Sequence, residues 1–177
     1  MSITIKLSKE EVRACADIAL NRWMMKWGSV DRPNYAGDNK QNMEPEIAAN
    51  VRSIVAEYAV AKHYKKPFTF PFYPNEEHVF RSKFADVQPN IEVKSVRTRD
   101  EIPVFPKDIQ NGGVLVGARV VDRDYYSEVE IFGWMLMEDV EKNAYWSVEM
   151  GGARQCWRVY NDKWNDKDPI EDLNLVL

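Results

Sequence analysis

The stretch FADVQPNIEVKSVR, residues 84–97, decides how this chain is interpreted. A Pro-Asn turn dipeptide at positions 89–90 separates two apolar runs, which predicts a hairpin whose first strand ends at Asp86. In the second strand, the alternation of side chains places Glu92 and Lys94 next to each other on one face. Because the hairpin can bring Asp86 to the same edge, two acids and a lysine are predicted to converge.

Two helices are predicted before this hairpin and further strands after it. Ser8 followed by Glu11 is a capping-box signature, and it opens a helix that runs to about residue 27. Proline at position 45 is a favoured first-turn residue, so a second helix is predicted from there to about residue 64. The strands are predicted at residues 79–87, 91–97, 114–121 and 129–137.

This order of elements predicts an α/β or α+β fold with a central mixed sheet flanked by helices. The chain has 177 residues and contains no internal repeat or long linker, so a single domain is predicted. Its core is expected over about residues 45–140, preceded by the helix at 8–27 and followed by a C-terminal extension at 141–177.

Composition excludes several functional classes. A net charge of −4 excludes a polybasic protein that binds nucleic acid through bulk charge alone. The two cysteines, Cys15 and Cys156, exclude a disulfide framework, and the presence of only two histidines argues against a His-rich metal site. The N-terminal sequence lacks the apolar core of a signal peptide, and no apolar run has transmembrane length. We therefore expect a cytoplasmic protein with no membrane contact.

One segment of the chain is basic. Residues 62–107 contain nine Lys or Arg against six Asp or Glu, which gives a local charge of +3, and they include the hairpin. Such a cluster is either a solvated surface or a surface for phosphate groups.

The residue types of the hairpin indicate a particular chemistry. Two carboxylates that converge on one point repel each other unless a positive charge lies between them. A hard divalent cation can take that position, because Mg²⁺ prefers oxygen ligands from one or two carboxylates together with waters and a phosphate. An adjacent lysine can hold an attacking water, help to deprotonate it and offset charge on the phosphorane. The pattern therefore indicates metal-assisted hydrolysis of a phosphodiester.

The acidic-x-Lys pattern is informative only where the surrounding sequence predicts a strand. The pattern occurs twice, but residues 38–40 (DNK) lie in a Gly/Asn-rich segment, whereas residues 92–94 (EVK) lie inside an apolar strand. On the second predicted helix, Glu57 lies at the border of the apolar stripe beside small residues. It is either a half-exposed ion-pair partner of Lys62 or Lys65, or a third acid that reaches the metal site.

These residues resemble the PD-(D/E)xK phosphodiesterase superfamily, also called restriction-endonuclease-like nucleases, and look most like its small phage or prophage members. The match consists of Glu57 on a helix, Asp86 at a strand end and residues 92–94 on the next strand. The resemblance implies a sheet flanked by helices, with Mg²⁺ or Mn²⁺ bound by Asp86, Glu92 and the carbonyl of Val93. It also implies Lys94 as the catalytic lysine and Glu57 as an accessory metal ligand or base partner.

The preferred hypothesis is a metal-dependent nuclease that cuts DNA by attack of water, in the host-cell cytoplasm if the chain is phage-encoded. Two alternatives stay open, namely a noncatalytic nucleic-acid-binding module of the same fold and a phage structural or interaction protein. A homodimer could present two grooves to a duplex. Phosphate contacts are predicted from the basic residues that flank the motif: Lys62, Lys65, Lys66, Arg97 and Arg99.

Overall fold

The computed structural model describes residues 2–24, 43–68, 85–96, 101–110, 113–147 and 155–165. The helices in these ranges are α1 (Lys9–Met24), α2 (Met43–His63), α3 (Pro106–Ile109) and α4 (Val140–Asn143), with single 3₁₀ turns at Met137–Asp139 and Asn161–Lys163. The strands are β1 (Ile3–Lys6), β2 (Ile91–Ser95), β3 (Glu101–Val104), β4 (Val114–Val120), β5 (Glu128–Leu136), β6 (Ala144–Ser147) and β7 (Cys156–Tyr160).

The described strands form two sheets. The larger sheet has the order β1-β5-β4-β2, in which β2 runs parallel to β4 and the other pairs are antiparallel. The smaller sheet has the order β3-β7-β6 and is antiparallel throughout. A mixed sheet together with helices confirms the predicted α+β class.

The start of α1 is the predicted capping box. The Glu11 amide donates to Ser8 Oγ at 3.2 Å, and the Ser8 amide donates to Glu11 Oε2 at 2.7 Å. Cys15, Ala19 and Trp23 are buried along one stripe of the helix, and α1 packs against α2. The predicted end of this helix near residue 27 lies outside the described residues.

Helix α2 is the central helix of the protein. It begins at Met43 and ends at His63, close to the predicted bounds. The prediction of one apolar face was too narrow, because in its second half nearly every side chain from Ile54 to Ala61 is buried. The cause is that α2 contacts α1 as well as strands of the larger sheet. Although α2 has 21 residues, the described part of the chain contains no helix with the length and apolar character to cross a membrane.

The two faces of the larger sheet border different cores. On one face, residues of β2, β4 and β5 pack with α1 and α2 in the first core. On the other face, Leu115, Phe132 and Met135 pack with β3 and β7 in the second core. The long helices α1 and α2 therefore pack on one face of the larger sheet, whereas β3 and β7 of the smaller sheet cover the other face.

The turn of the predicted hairpin forms, and it is closed by one antiparallel bridge. Val87 and Ile91 exchange two backbone hydrogen bonds of 2.9 Å around the turn at positions 88–90. The Val114 amide donates to the Asn90 carbonyl at 3.0 Å, which ties the turn to the start of β4. Gly113 makes this approach possible, because its φ is +87° and a Cβ there would collide with the Asn90 carbonyl. Residues 79–84 of the first predicted strand lie outside the described residues.

Candidate active site at the edge of the sheet

Strand β2 is the last strand in the order of the larger sheet. One side of its backbone faces β4, and the other side faces Asp86. The Val96 amide, just after the strand, donates to the Ala118 carbonyl at 3.1 Å, on the side of β4. The Val93 amide points the opposite way and donates to Asp86 Oδ2 at 2.9 Å. Because the N–H and C=O of one strand residue lie on the same side, the Val93 carbonyl also faces the side of Asp86.

Glu92 and Lys94 lie side by side, as the strand alternation predicts. Lys94 Nζ donates to Glu92 Oε1 at 2.9 Å, and it is 2.7 Å from Asp108 Oδ2. Both side chains are largely secluded, with 18% of the Lys94 side chain and 10% of the Glu92 side chain exposed. Lys94 is therefore held between two carboxylates, one on its own strand and one on α3.

Glu57 projects from the buried part of α2, and its carboxylate faces Arg22 of α1. Arg22 donates to both Glu57 oxygens, at 3.3 and 3.4 Å, in a bidentate pair. Of the two interpretations left open for Glu57, the half-exposed ion pair with Lys62 or Lys65 does not form. Lys62 belongs to a different pair, with Glu11 at 2.8 Å.

The charge of Asp86 affects the pKa of both Glu57 and Glu92. Burial, together with the charge of Asp86, raises the pKa of Glu57 to about 7 against the opposing charge of Arg22. Burial and the charge of Asp86 likewise raise the pKa of Glu92 to about 8, although Lys94 opposes the shift. Burial also raises the pKa of Asp86. The carboxylate of Asp86 therefore disfavours ionisation of one acid on α2 and of one acid on β2.

We call the six charged side chains that meet here the edge cluster. Its members are Glu57, Asp86, Glu92, Asp108, Arg22 and Lys94. Full ionisation gives four negative and two positive charges, an excess of two negative charges in a largely buried place. Lys107 lies at the rim, 3.9 Å from Asp108 Oδ1, and its side chain is 57% exposed, so solvent screens its charge.

The donor atoms of the edge cluster fit a hard divalent cation. They are carboxylate oxygens and the Val93 carbonyl, which Mg²⁺ and Mn²⁺ prefer over softer ligands. Within the described part of the chain, Asp86 Oδ1 and Glu92 Oε2 accept no hydrogen bond from the protein. One divalent charge would also balance the excess of two negative charges.

The described residues contain no ready-made group of three His, Cys, Asp or Glu side chains spaced to hold a metal ion. Each of the three predicted acids already has a protein partner. Glu57 is paired with Arg22, Glu92 with Lys94, and Asp86 with the Val93 amide. The residues that would hold a cation are Asp86, Glu92 and the Val93 carbonyl, while Glu57 would first have to separate from Arg22.

Three of the five predicted phosphate contacts lie in the described residues. Lys62 binds Glu11 and also donates to the Lys6 carbonyl at 3.0 Å, so it ties α2 to α1 and β1. Lys65 and Lys66 follow the end of α2, where Lys65 has a positive φ of 53°. The two predicted arginines, Arg97 and Arg99, lie outside the described residues.

Sequence reasoning missed two members of the edge cluster, Arg22 and Asp108. Asp108 had a local signal, because the FPKD sequence at 105–108 has proline and aspartate at the positions that favour a helix start. The Phe105 amide indeed donates to Asp108 Oδ2 at 2.9 Å. Arg22 had no signal, because its partner Glu57 lies 35 residues away in the chain.

No protein-family model, curated protein or solved structure matches this chain. The protein is therefore described by its own fold and site. It is an α+β protein with a mixed sheet, at whose edge strand three carboxylates and a lysine are gathered.

Proposed function

We propose that this protein is a nuclease that hydrolyses DNA phosphodiester bonds with the help of Mg²⁺ or Mn²⁺. The observation that carries the proposal is the gathering of Glu57, Asp86 and Glu92 with Lys94 at one sheet edge. Ion pairs with a purely structural role can also bring charged side chains together. Ionisation of all four acids would, however, leave an excess of two negative charges in a secluded place, which is costly, so the pKa values of Glu57 and Glu92 are raised. Binding of a cation would relieve that cost.

Each residue has a role in this proposal. Asp86, Glu92 and the Val93 carbonyl would hold the cation, with Glu57 as an accessory ligand. The bound cation would supply Lewis acidity and stabilise charge on the phosphate oxygens. In the reaction, a water oxygen bonds to phosphorus while the bond from phosphorus to one sugar oxygen breaks. The proton lost by the water is balanced by the proton gained by that sugar oxygen, so the products are a phosphomonoester and a hydroxyl.

Lys94 fits the role of a fixed positive charge. Burial alone would lower the pKa of Lys94, but the charges of Glu92 and Asp108 outweigh burial and raise that pKa above its ordinary value. The ammonium therefore stays protonated at neutral pH and cannot accept a proton from water. Two of its three N–H groups are directed to carboxylates within the described residues, and the third can donate to an attacking water or to a phosphoryl oxygen.

The direct experiment is plasmid nicking with Mg²⁺ or Mn²⁺ by wild-type protein, Lys94→Ala and Glu92→Gln. We expect the wild type to nick and both variants to lose at least about 100-fold in rate. Glu92→Gln is included because the Glu92 carboxyl already holds a proton near neutral pH, so its amide replacement is expected to fold. Lys142→Ala is the matched control, since Lys142 forms an exposed 2.8 Å pair with Asp139 away from the edge cluster.

The outcome that contradicts the proposal is an absence of cleavage of single-stranded, duplex and branched DNA by folded, metal-supplied protein. The noncatalytic binding module would then be favoured. One observation already suits that second candidate, namely that the described acids of the edge cluster each have a protein partner. A shift of DNA mobility without cleavage would support it.

A further inference from the structure

We propose that Asp108 is the positioning residue that keeps Lys94 in place when Glu92 is engaged by a cation. This inference rests on the proposed nuclease function. Asp108 lies on a four-residue helix outside the hairpin, and the resemblance to known nucleases assigns it no role. Its side chain is only 3% exposed, and its Oδ2 lies 2.7 Å from Lys94 Nζ.

The need for Asp108 follows from the two tasks of Glu92. In the structure, Glu92 Oε1 accepts a hydrogen bond from Lys94 at 2.9 Å. In the proposed function the same carboxylate is a metal ligand, and its electron density would be drawn toward the cation. Asp108 would then be the one carboxylate partner of Lys94 that does not share its charge with the cation. A lysine without that partner would be repelled by the nearby divalent charge.

The position of Asp108 is itself fixed. The Phe105 amide donates to Asp108 Oδ2 at 2.9 Å, and Pro106 occupies the first turn of α3. Phe105 directly follows β3, whose Ile102 and Val104 are fully buried in the second core. The second core therefore holds the anchor of Lys94, whereas the first core holds α2 with Glu57.

Asp108→Asn tests this inference, because the amide oxygen can still accept the Phe105 hydrogen bond while the negative charge is lost. We expect kcat for DNA cleavage to fall by at least about tenfold, with KM for DNA changed by less than about twofold. Asp139→Asn is the matched control, since Asp139 forms a 2.8 Å pair with Lys142 and is expected to keep wild-type kcat.

A second readout needs neither metal nor DNA. A secluded and hydrogen-bonded ammonium exchanges its protons slowly, so Lys94 is expected to give a ¹⁵N–¹H ammonium signal in the metal-free wild type. We expect Asp108→Asn to broaden this signal beyond detection, while the backbone amide spectrum stays folded. Asp108→Glu keeps the charge but displaces it by one methylene, and it is expected to retain the signal and part of kcat.

The outcomes separate this inference from the function on which it rests. An active wild type together with a fully active Asp108→Asn variant overturns the positioning role and leaves the nuclease intact. An unchanged Lys94 signal in Asp108→Asn overturns the positioning role as well. If Asp108→Asn does not fold, an Asp108→Glu variant that folds but has lost the Lys94 signal overturns it. A wild type that cleaves no DNA overturns both proposals.

Discussion

Glu92 differs from a surface glutamate because its buried position beside Asp86 favours the protonated form of its carboxyl. Burial and the charge of Asp86 raise its pKa to about 8, and similar causes raise that of Glu57 to about 7. In the unfolded chain both groups lose their protons near pH 4.5. Between pH 4.5 and the raised pKa values, the folded protein binds more protons than the unfolded chain. The free energy of unfolding therefore depends on pH in this range.

The first prediction is a loss of stability with rising pH. In the presence of a chelator, the free energy of unfolding is expected to fall as the pH rises from about 5 to about 8. The slope reaches at most about 1.4 kcal/mol per pH unit for each retained proton. Urea denaturation midpoints across this range measure it. Glu92→Gln has no proton to lose at this site, so its curve is expected to be flatter than that of wild type.

A wild-type midpoint that stays constant or rises over the same pH range contradicts this prediction. Such a result would mean that the carboxylates are ionised in the folded protein at low cost, and the electrostatic reason for binding a cation would be removed.

The second prediction concerns metal and the melting temperature. If Asp86 and Glu92 share a cation, Mn²⁺ at 100 times its Kd is expected to stabilise the fold by about 2.7 kcal/mol, which is roughly 5–10 °C for a chain of this size. Asp86→Asn is expected to lose most of this shift, and Asp139→Asn is expected to keep it. Equal shifts in all three proteins would place the binding of Mn²⁺ elsewhere.

At the scale of elements, the position of Asp86 relative to Glu92 depends on a turn that is supported from outside the hairpin. The Asn90 carbonyl accepts a hydrogen bond from the Val114 amide, and Gly113 lies against the same carbonyl with a φ of +87°. A side chain at position 113 would have to adopt an unfavourable backbone conformation and would also collide with the turn.

The third prediction is therefore that Gly113→Ala destabilises the protein by about 3 kcal/mol or more, the sum of backbone strain and steric displacement. Urea denaturation measures the loss. Ser8→Ala, which removes only the helix cap of α1, is the reference change and is expected to cost about 1 kcal/mol. Costs of similar size would show that the turn tolerates the added methyl group.

Elements with a strong local pattern were predictable from the sequence, and elements defined by distant partners were not. The Ser8–Glu11 capping box and the Pro-Asn hairpin turn are local, and both form. The second sheet was missed because its strands have four or five residues, and β3 contains Pro103. Proline is tolerated there because β3 is an edge strand of its sheet.

The same distinction applies to the site. Glu92 and Lys94 share a strand, so their common face follows from the two-residue repeat. Arg22 and Asp108 reach them only through tertiary packing of α1 and α3, which no local pattern records. The metal and the nucleic acid stay predictions.

At the scale of the whole molecule, the edge cluster joins the two cores. Strand β2 contributes Ile91 and Val93 to the first core, and Val96, just after the strand, packs against the second core. Arg22 and Glu57 lie on α1 and α2, which pack in the first core, whereas Asp108 lies on α3, which packs against the second core. The elements around neither core carry the complete edge cluster. We therefore expect any separation of the two cores to disrupt the site.

The parallel pairing of β2 with β4 has a kinetic consequence. Strands β4 and β5 form an antiparallel hairpin in which Val120 faces Val129, nine positions later, whereas β2 must pair Ile91 with Val114 across 23 positions. Closing the longer loop costs more chain entropy, so we expect β2 to become protected after the hairpin during refolding. Pulse-labelled hydrogen exchange can order these events, and simultaneous protection would contradict this order. The chain would then regain the hairpin of its larger sheet first, and the edge cluster would be completed only after a lag.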